Sequence, residues 1–236
     1  MVEPFTTLTA VAAPLEIAKI DTGMIAPGRF QRIRRRPGHT DYADVFLHDL
    51  RFDENDTPRA DFVLNRPAYR GAKILVTGPD FGCGSSRESA AYSALDYGVR
   101  ALVGPSFGDV FVGNCMQNGI VPVVLPIEAV QALWRQLNAS PGASMTVDLR
   151  EQTVTAPDGS VHRFEIDATR KERLMKGLDD VGVTLGHLPQ IEAFENEYRR
   201  RKPWLASHGE PGAVNASKGN RGFPPRPPFL SKRGTP

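Results

Sequence analysis

Lys73-Ile74-Leu75-Val76-Thr77-Gly78-Pro79-Asp80-Phe81-Gly82-Cys83-Gly84-Ser85-Ser86-Arg87-Glu88-Ser89-Ala90-Ala91-Tyr92-Ser93-Ala94-Leu95 is the stretch on which the fold of this 236-residue chain turns. Its first four residues are an apolar run that reads as a buried strand, and residues 89–95 read as a helix. Between them a glycine turn brings two hydroxyls and a guanidinium to the start of the helix. Ser85 with Glu88 fits the S-x-x-E capping box, which predicts a helix beginning at Ser85 with Arg87 in its first turn. A helix start has free N–H groups and a partial positive charge, which suit an anion. Arg87 there can clamp a carboxylate through two parallel hydrogen bonds. The residues point to a carboxylate site with a serine beside it.

Downstream the pattern is regular. Ala101-Leu102-Val103 predicts a strand, and Ser106 opens a helix with Phe107, Val110, Phe111 and Cys115 at helical spacing, closed by Asn118-Gly119. Phe107, Val110 and Phe111 are expected in the core. Residues 120–125 predict a strand whose Pro122 suggests an edge, and residues 127–137 a helix. Residues 73–137 thus predict an α/β fold with a parallel strand–helix layer. The period then becomes two: residues 145–149, 153–155 and 161–166 alternate around Pro157-Asp158-Gly159, an antiparallel β section over about 144–167. Helices are expected at 169–176, ended by Gly177, and at 190–201. Upstream, Leu15-Glu16-Ile17-Ala18-Lys19-Ile20 alternates and predicts a strand ending at Asp21-Thr22-Gly23. Residues 32–44 read as a basic loop, Val45-Phe46-Leu47 as a short strand or helical turn, residues 53–58 as a polar turn, and Phe62-Val63-Leu64 as another short element. One domain over residues 1–201 and a basic, Gly/Pro-rich, disordered tail over 202–236 are expected.

Hydrophobic content of 40% and charged content of 24% are ordinary for a globular protein large enough to bury a full core. No apolar stretch is long enough to cross a bilayer, and Met1-Val2-Glu3-Pro4-Phe5 lacks the regions of a signal peptide, so the cytoplasm is the expected location. Cys83 and Cys115 cannot build a disulfide framework, and two thiols are too few for a four-cysteine iron–sulfur cluster. The five histidines are scattered, so no metal site is expected from this chain alone. Both thiols are expected to behave as buried small hydrophobes. The formal charge of +2 conceals an asymmetry: nine Lys/Arg against one acidic residue from Arg199 onward leave residues 1–198 at −6. A basic tail with few aromatics and no binding fold reads as a solvated extension rather than a nucleic-acid binder.

The generic nucleotide and hydrolase motifs fail at the glycine turn. Arg87 occupies the third glycine position of G-x-G-x-x-G, no Gly-Lys-Ser/Thr follows, and Gly82-Cys83-Gly84 puts cysteine where G-x-S-x-G needs serine. Taken alone, the turn also fits a plain helix start, with Ser85 as cap, Ser86 solvated and Arg87 paired with a nearby carboxylate.

Phe81 to Glu88, however, resembles the F-G-C-G-S-S-R-E motif of the small subunit of 3-isopropylmalate dehydratase, itself similar to the swivelling C-terminal domain of aconitase. Asp21-Thr22-Gly23-Met24-Ile25-Ala26-Pro27-Gly28-Arg29-Phe30 resembles the family's D-T-D-x-I-x-P-x-R-F. Pro105-Ser106-Phe107-Gly108-Asp109-Val110-Phe111, Asn114-Cys115, Asn118-Gly119-Ile120-Val121-Pro122 and residues 177–185 carry further family motifs, in order, so the resemblance spans residues 4–198. It implies a swivelling β/β/α domain and a hydro-lyase that isomerises 2- and 3-isopropylmalate by dehydration and rehydration in leucine biosynthesis. It implies a 4Fe-4S cluster on a separate large subunit, with none bound by this chain. It implies Ser85 as the base, with Ser86, Arg87, Gly84 and Thr22 binding substrate.

Two positions depart from the family. Its second aspartate in D-T-D is Gly23 here, and its histidine after Arg-Glu is Ser89. Losing a carboxylate and an imidazole near one site alters its proton network. Two alternatives therefore stay open: a related dehydratase subunit acting on another hydroxy dicarboxylate (citraconate-, methylmalate- or dimethylmalate-like), and a non-catalytic homologue. Arg32, Arg34, Arg35 and Arg36 lie where the family has its substrate-specificity loop. They read either as a solvated charged loop or as an attractor for a dianionic substrate.

Overall fold

A seven-stranded sheet organises the first of two compact units, residues 1–186. The computed structural model describes residues 2–36, 39–84 and 87–206. The strands are β1 (Thr7–Leu15), β2 (Ile74–Thr77), β3 (Ala101–Gly104), β4 (Val121–Val124), β5 (Ser144–Asp148), β6 (Thr153–Thr155) and β7 (Val161–Arg163). Their spatial order is β4-β3-β2-β1-β5-β6-β7. The helices of this unit are α1 (Thr22–Ile25), α2 (His48–Arg51), α3 (Glu88–Tyr97), α4 (Asp109–Gln117), α5 (Ile127–Ala139), α6 (Ala168–Lys176) and α7 (Asp180–Gly186).

β1 joins two differently built halves. Its residues Ala12–Leu15 pair in parallel with β2, while Thr7–Val11 pair antiparallel with β5. β2, β3 and β4 continue the parallel half, and β5, β6 and β7 form the antiparallel one. The expected parallel layer and antiparallel section are both present. β4 is an edge strand, as Pro122 suggested, since a proline there removes an N–H at the unpaired side of the sheet.

Side-chain alternation sorts the sheet into two cores. Ala13, Leu15, Leu75 and Leu102 face one way, onto Ile20, Ile25, Tyr42, Phe46, Ala90, Ala94, Phe111 and Cys115. Ala12, Ile74, Val76, Ala101, Val103, Val121 and Val123 face the other way, onto Val130, Leu133 and Leu137 of α5 and Leu174 of α6. Both faces of β2 and β3 are therefore covered, and all eight of their residues are buried.

Several expectations are corrected. The first strand is Thr7–Leu15, and residues 16–20 are a linker in which Lys19 takes a positive φ and donates its N–H to Pro79 O at 2.7 Å. α3 begins at Glu88 with Arg87 at its N-cap position, two residues beyond the cap position that the capping box gives; Ser85 itself lies outside the described residues. The downstream helix starts at Asp109 after Gly108, not at Ser106, whose Oγ instead accepts from Asp80 N and donates to Asp80 Oδ1. Val110 is 53% exposed and not core, because it sits at the outer face of the first turn of α4. Cys83 is half-buried, because its backbone bridges to Asp21 at the rim of the sheet; Cys115 is fully buried as expected. Val45-Phe46-Leu47 is a turn whose left-handed Leu47 leads into α2, and Phe62-Val63-Leu64 runs into a 3-10 turn.

The second unit, residues 187–236, contains α8 (Leu188–Arg201) and α9 (Pro203–Ala206). α8 carries Glu195–Arg199 and Glu197–Arg201 ion pairs one turn apart. The first compact unit ends at Gly186, and α8 falls in the second. The tail beyond Ala206 lies outside the described residues.

Candidate active site

The C-terminal ends of β1, β2 and β3 run past the regular sheet and bond to one another. Gly82 N donates to Ile20 O at 2.7 Å, and Thr22 N donates to Cys83 O at 2.9 Å, making a parallel bridge between Asp21 and Cys83. Phe81 N donates to Ser106 O at 3.3 Å, and Gly108 N donates to Phe81 O at 3.0 Å, bridging Phe81 to Phe107. The result is a shelf beyond the carboxyl ends of parallel strands, the place where open α/β sheets hold ligands.

Close backbone approach dictates the glycines of this shelf. Gly82 has φ +76, and a Cβ there would lie 2.2 Å from the Phe111 ring. Gly84 has φ +90 and would bring a Cβ within 3.2 Å of Asp21 Cβ. Asp21 is itself the cap of α1, its Oδ1 accepting from Gly23 N at 2.7 Å and Met24 N at 2.8 Å. A side chain at Gly23 would put its Cβ 3.0 Å from that same Oδ1. The departure at Gly23 therefore fits the cap: a carboxylate-bearing side chain there requires Asp21 to move.

Arg87 stands at the start of α3, half-buried. Its guanidinium lies against Gly28, where a Cβ would come within 3.2 Å of Nη1. Among the described residues no carboxylate pairs with it. The other wholly or partly buried arginines differ. Arg51 donates to Ala43 O and Phe46 O, Arg100 pairs with Glu3, and Arg173 pairs with Asp180. A buried guanidinium normally finds such partners. On the shelf, where its N–H bonds Cys83 O, Thr22 is fully buried and its Oγ1 has no hydrogen-bond partner among the described residues. Ser89, in the first turn of α3, is also buried with an unpartnered Oγ. Ser85 and Ser86 lie outside the described residues, between Gly84 and Arg87.

The arginine loop divides into tethered and untethered members. Arg35 makes a forked contact with Asp96, Nη2 to Oδ1 at 2.8 Å and Nε to both oxygens at 3.3 Å. Its guanidinium also covers the Tyr92 ring at 4.8 Å. Burial first, then the Tyr42 phenol, pushes the Tyr92 pKa up to about 12, so that ring is a neutral phenol. Arg36 donates to Asp41 Oδ1 at 2.6 Å and holds that carboxyl down to about 2. Arg29 pairs with Asp49 and holds its pKa below the usual carboxylate range. Arg32 and Arg34 are exposed, with no ion-pair partner among the described residues. The structure thus brings Thr22, Gly84 and Arg87 to one shelf but gives Arg35 and Arg36 to carboxylates of the chain. Sequence reasoning missed Gly28 as the cradle of Arg87, Asp21 as a cap, and Asp96 as an anchor. Asp21 and Gly28 lie inside a quoted motif, whereas nothing local marks Asp96.

The two cysteines of the chain are fewer than the four thiolates that commonly hold an iron–sulfur cluster. Cys83 is half-buried on the shelf, and Cys115 sits on α4 with its thiol pushed well above its usual pKa by burial. No three His, Cys, Asp or Glu side chains converge among the described residues. No helix there is long and apolar enough to cross a membrane.

The class of domain is aconitase-type: the Aconitase C-terminal domain profile matches residues 2–128, which include the whole shelf and the arginine at the start of α3. The LeuD_N profile matches residues 131–168, and the profile for the C-terminal domain of the 3-isopropylmalate dehydratase small subunit matches residues 180–207. The chain belongs to the family of 3-isopropylmalate dehydratase small subunits. It is 47% identical over 203 residues to the subunit of that name from Jannaschia sp. (strain CCS1), covering 86% of this chain and all of that one. It is 46% identical to those from Parvibaculum lavamentivorans over 203 residues and Dinoroseobacter shibae over 204, with the same coverage. The fold is similar to a crystal structure of 3-isopropylmalate dehydratase from Methanocaldococcus jannaschii, with a TM-score of 0.57 at 18% identity, covering 81% of this chain and 99% of that one.

Proposed function

We propose that this chain is the small subunit of a heteromeric hydro-lyase interconverting 2- and 3-isopropylmalate in leucine biosynthesis, and that it holds one substrate carboxylate on Arg87. The observation that carries this is the half-buried Arg87, cradled by Gly28 at the start of α3 with no carboxylate paired to it among the described residues. A two-pronged guanidinium recognises a carboxylate by shape as well as charge. Thr22 Oγ1, buried and unpartnered, is a second group for the substrate's oxygens. Identity over 86% of the chain supports isopropylmalate over other hydroxy dicarboxylates.

Ser85 is assigned as the base. It takes the proton from the carbon beside the hydroxyl-bearing one as the C–OH bond breaks, and returns it to the neighbouring carbon when water adds. A serine hydroxyl is a weak base, but an adjacent guanidinium favours its alkoxide and lowers its pKa. Departure of hydroxide calls for a Lewis acid. The donor set of this chain does not provide one, so we assign it to an iron–sulfur cluster on a large-subunit partner. The complex is assigned to the cytoplasm.

Co-expression with a cluster-bearing large subunit tests this reading. The complex is expected to hydrate the alkene intermediate, and Ser85→Ala to lower kcat by on the order of 1,000-fold with the complex still assembled. An unchanged rate would remove Ser85 from the base role. Faster turnover of a smaller hydroxy dicarboxylate in a substrate panel would overturn the isopropylmalate assignment.

A further inference from the structure

The segment from Gly28 to Arg35 is fastened to both ends of one helix. At its start, Gly28 packs against the guanidinium of Arg87, the N-cap of α3. At its end, Arg35 forks onto Asp96, the penultimate residue of the same helix. Arg87 and Asp96 are separated by roughly 14 Å at 1.5 Å rise per residue, so the segment lies lengthwise along α3.

The far anchor is built with care for its charge. Asp96 is buried, with 4% of its side chain exposed, and accepts from Tyr42 N at 3.2 Å as well as from Arg35. Tyr42 packs edge-on against Tyr92, whose ring also lies under the Arg35 guanidinium. Asp96 therefore pins the basic segment at Arg35 and the returning chain at Tyr42. Three of the five arginines at 29–36 are neutralised by Asp49, Asp96 and Asp41, which leaves Arg32 and Arg34 as the charges the segment presents.

We infer that Asp96 is a positioning residue for substrate capture: by holding Arg35 it fixes the Arg32–Arg34 stretch relative to the Arg87 carboxylate site, and so tunes affinity for a dianionic substrate. This rests on the reading of Arg87 given above. Asp96 acts through Arg35 and touches no substrate. Its loss is felt in KM, because the reacting atoms are held by other residues.

The experiment uses the assembled two-subunit complex. In Asp96→Asn, which keeps an acceptor for Tyr42 N, amide exchange over residues 29–36 is expected to accelerate on the order of 10-fold, with α5 unchanged. KM is expected to rise on the order of 10-fold with kcat retained. Arg35→Gln is expected to do the same, and the double variant to be no worse than either single one, because the two residues act as one unit. Asp96→Glu is expected to restore part of the loss. Unaltered exchange, an unaltered KM, a fall confined to kcat, or additive effects in the double variant would each overturn the inference. If the wild-type complex fails to turn over isopropylmalate, the substrate assignment is at fault, and exchange over residues 29–36 still decides whether Asp96 holds the segment.

Discussion

The two walls that flank Arg87 are held in opposite ways. On one side, residues 81–84 are fixed by main-chain bonds to Ile20, Thr22, Ser106 and Gly108, with glycines where no side chain fits. On the other, residues 28–36 are fixed mainly by side chains: ion pairs to Asp49, Asp96 and Asp41, and the Tyr42 hydroxyl donating to Phe30 O and Ile33 O. Main-chain bonds in a packed sheet cannot shift without disturbing their neighbours, whereas ion pairs reaching the surface, such as Arg29–Asp49, can be rearranged at little cost, with the buried Asp96 as the fixed point of that wall. The glycine wall suits a reaction step that tolerates no displacement. The arginine wall suits recognition, which varies with the ligand.

The largest test of that contrast is Gly82→Ala. Its Cβ would collide with Phe111 in a backbone conformation that side chains rarely adopt, so a loss of about 3 kcal/mol or more is expected in chemical denaturation. A silent Gly82→Ala would show the glycine wall to be as adaptable as the other. Next is Arg87→Lys, which keeps the charge but loses the fork. kcat/KM in the complex is expected to fall on the order of 100-fold with the melting temperature unchanged. A melting temperature that drops with activity would mean that Arg87 is structural.

Thr22→Val sharpens the comparison from within the rigid wall. Removing an unpartnered buried hydroxyl is expected to raise stability by about 1 kcal/mol while raising KM. A loss of stability instead would mean the hydroxyl is already satisfied. The smallest effect is expected from the exposed Arg36–Asp41 pair. Asp41 is lowered from 3.8 to about 2, so its contribution is complete above the unfolded value and is lost as pH falls through about 2. Wild type and Arg36→Ala are expected to differ slightly above pH 4 and to converge toward pH 2 in acid titrations followed by circular dichroism. A difference that persists below that range would contradict the pairing.

How much was legible in the sequence follows from where each signal lives. β2, β3 and β4 are short apolar runs between glycine turns, and they were readable because both faces are covered. β1 was not, because it changes partners midway: residues 7–11 alternate along the antiparallel half, and residues 12–15 are buried throughout in the parallel half. No single period describes such a strand. The capping box at Ser85 misplaced the start of α3 because a four-residue pattern carries no information about the bridges that tie Phe81 and Cys83 to neighbouring strand ends. Val110 misled for a similar reason, since helical spacing identifies a face but not where along the helix that face leaves the core.

Residue order alone determined the alternation of strands and helices, the ordered set of motifs around Arg87, and a cysteine content too low for a cluster. These are properties of neighbours along the chain, where period, spacing and count suffice. Tertiary structure decided that Gly28 cradles Arg87, that Asp21 crowds the position of Gly23, and that Asp96 captures Arg35 from 61 positions away. Such contacts depend on which strand ends lie side by side in the sheet, and separation along the chain says nothing of distance in space.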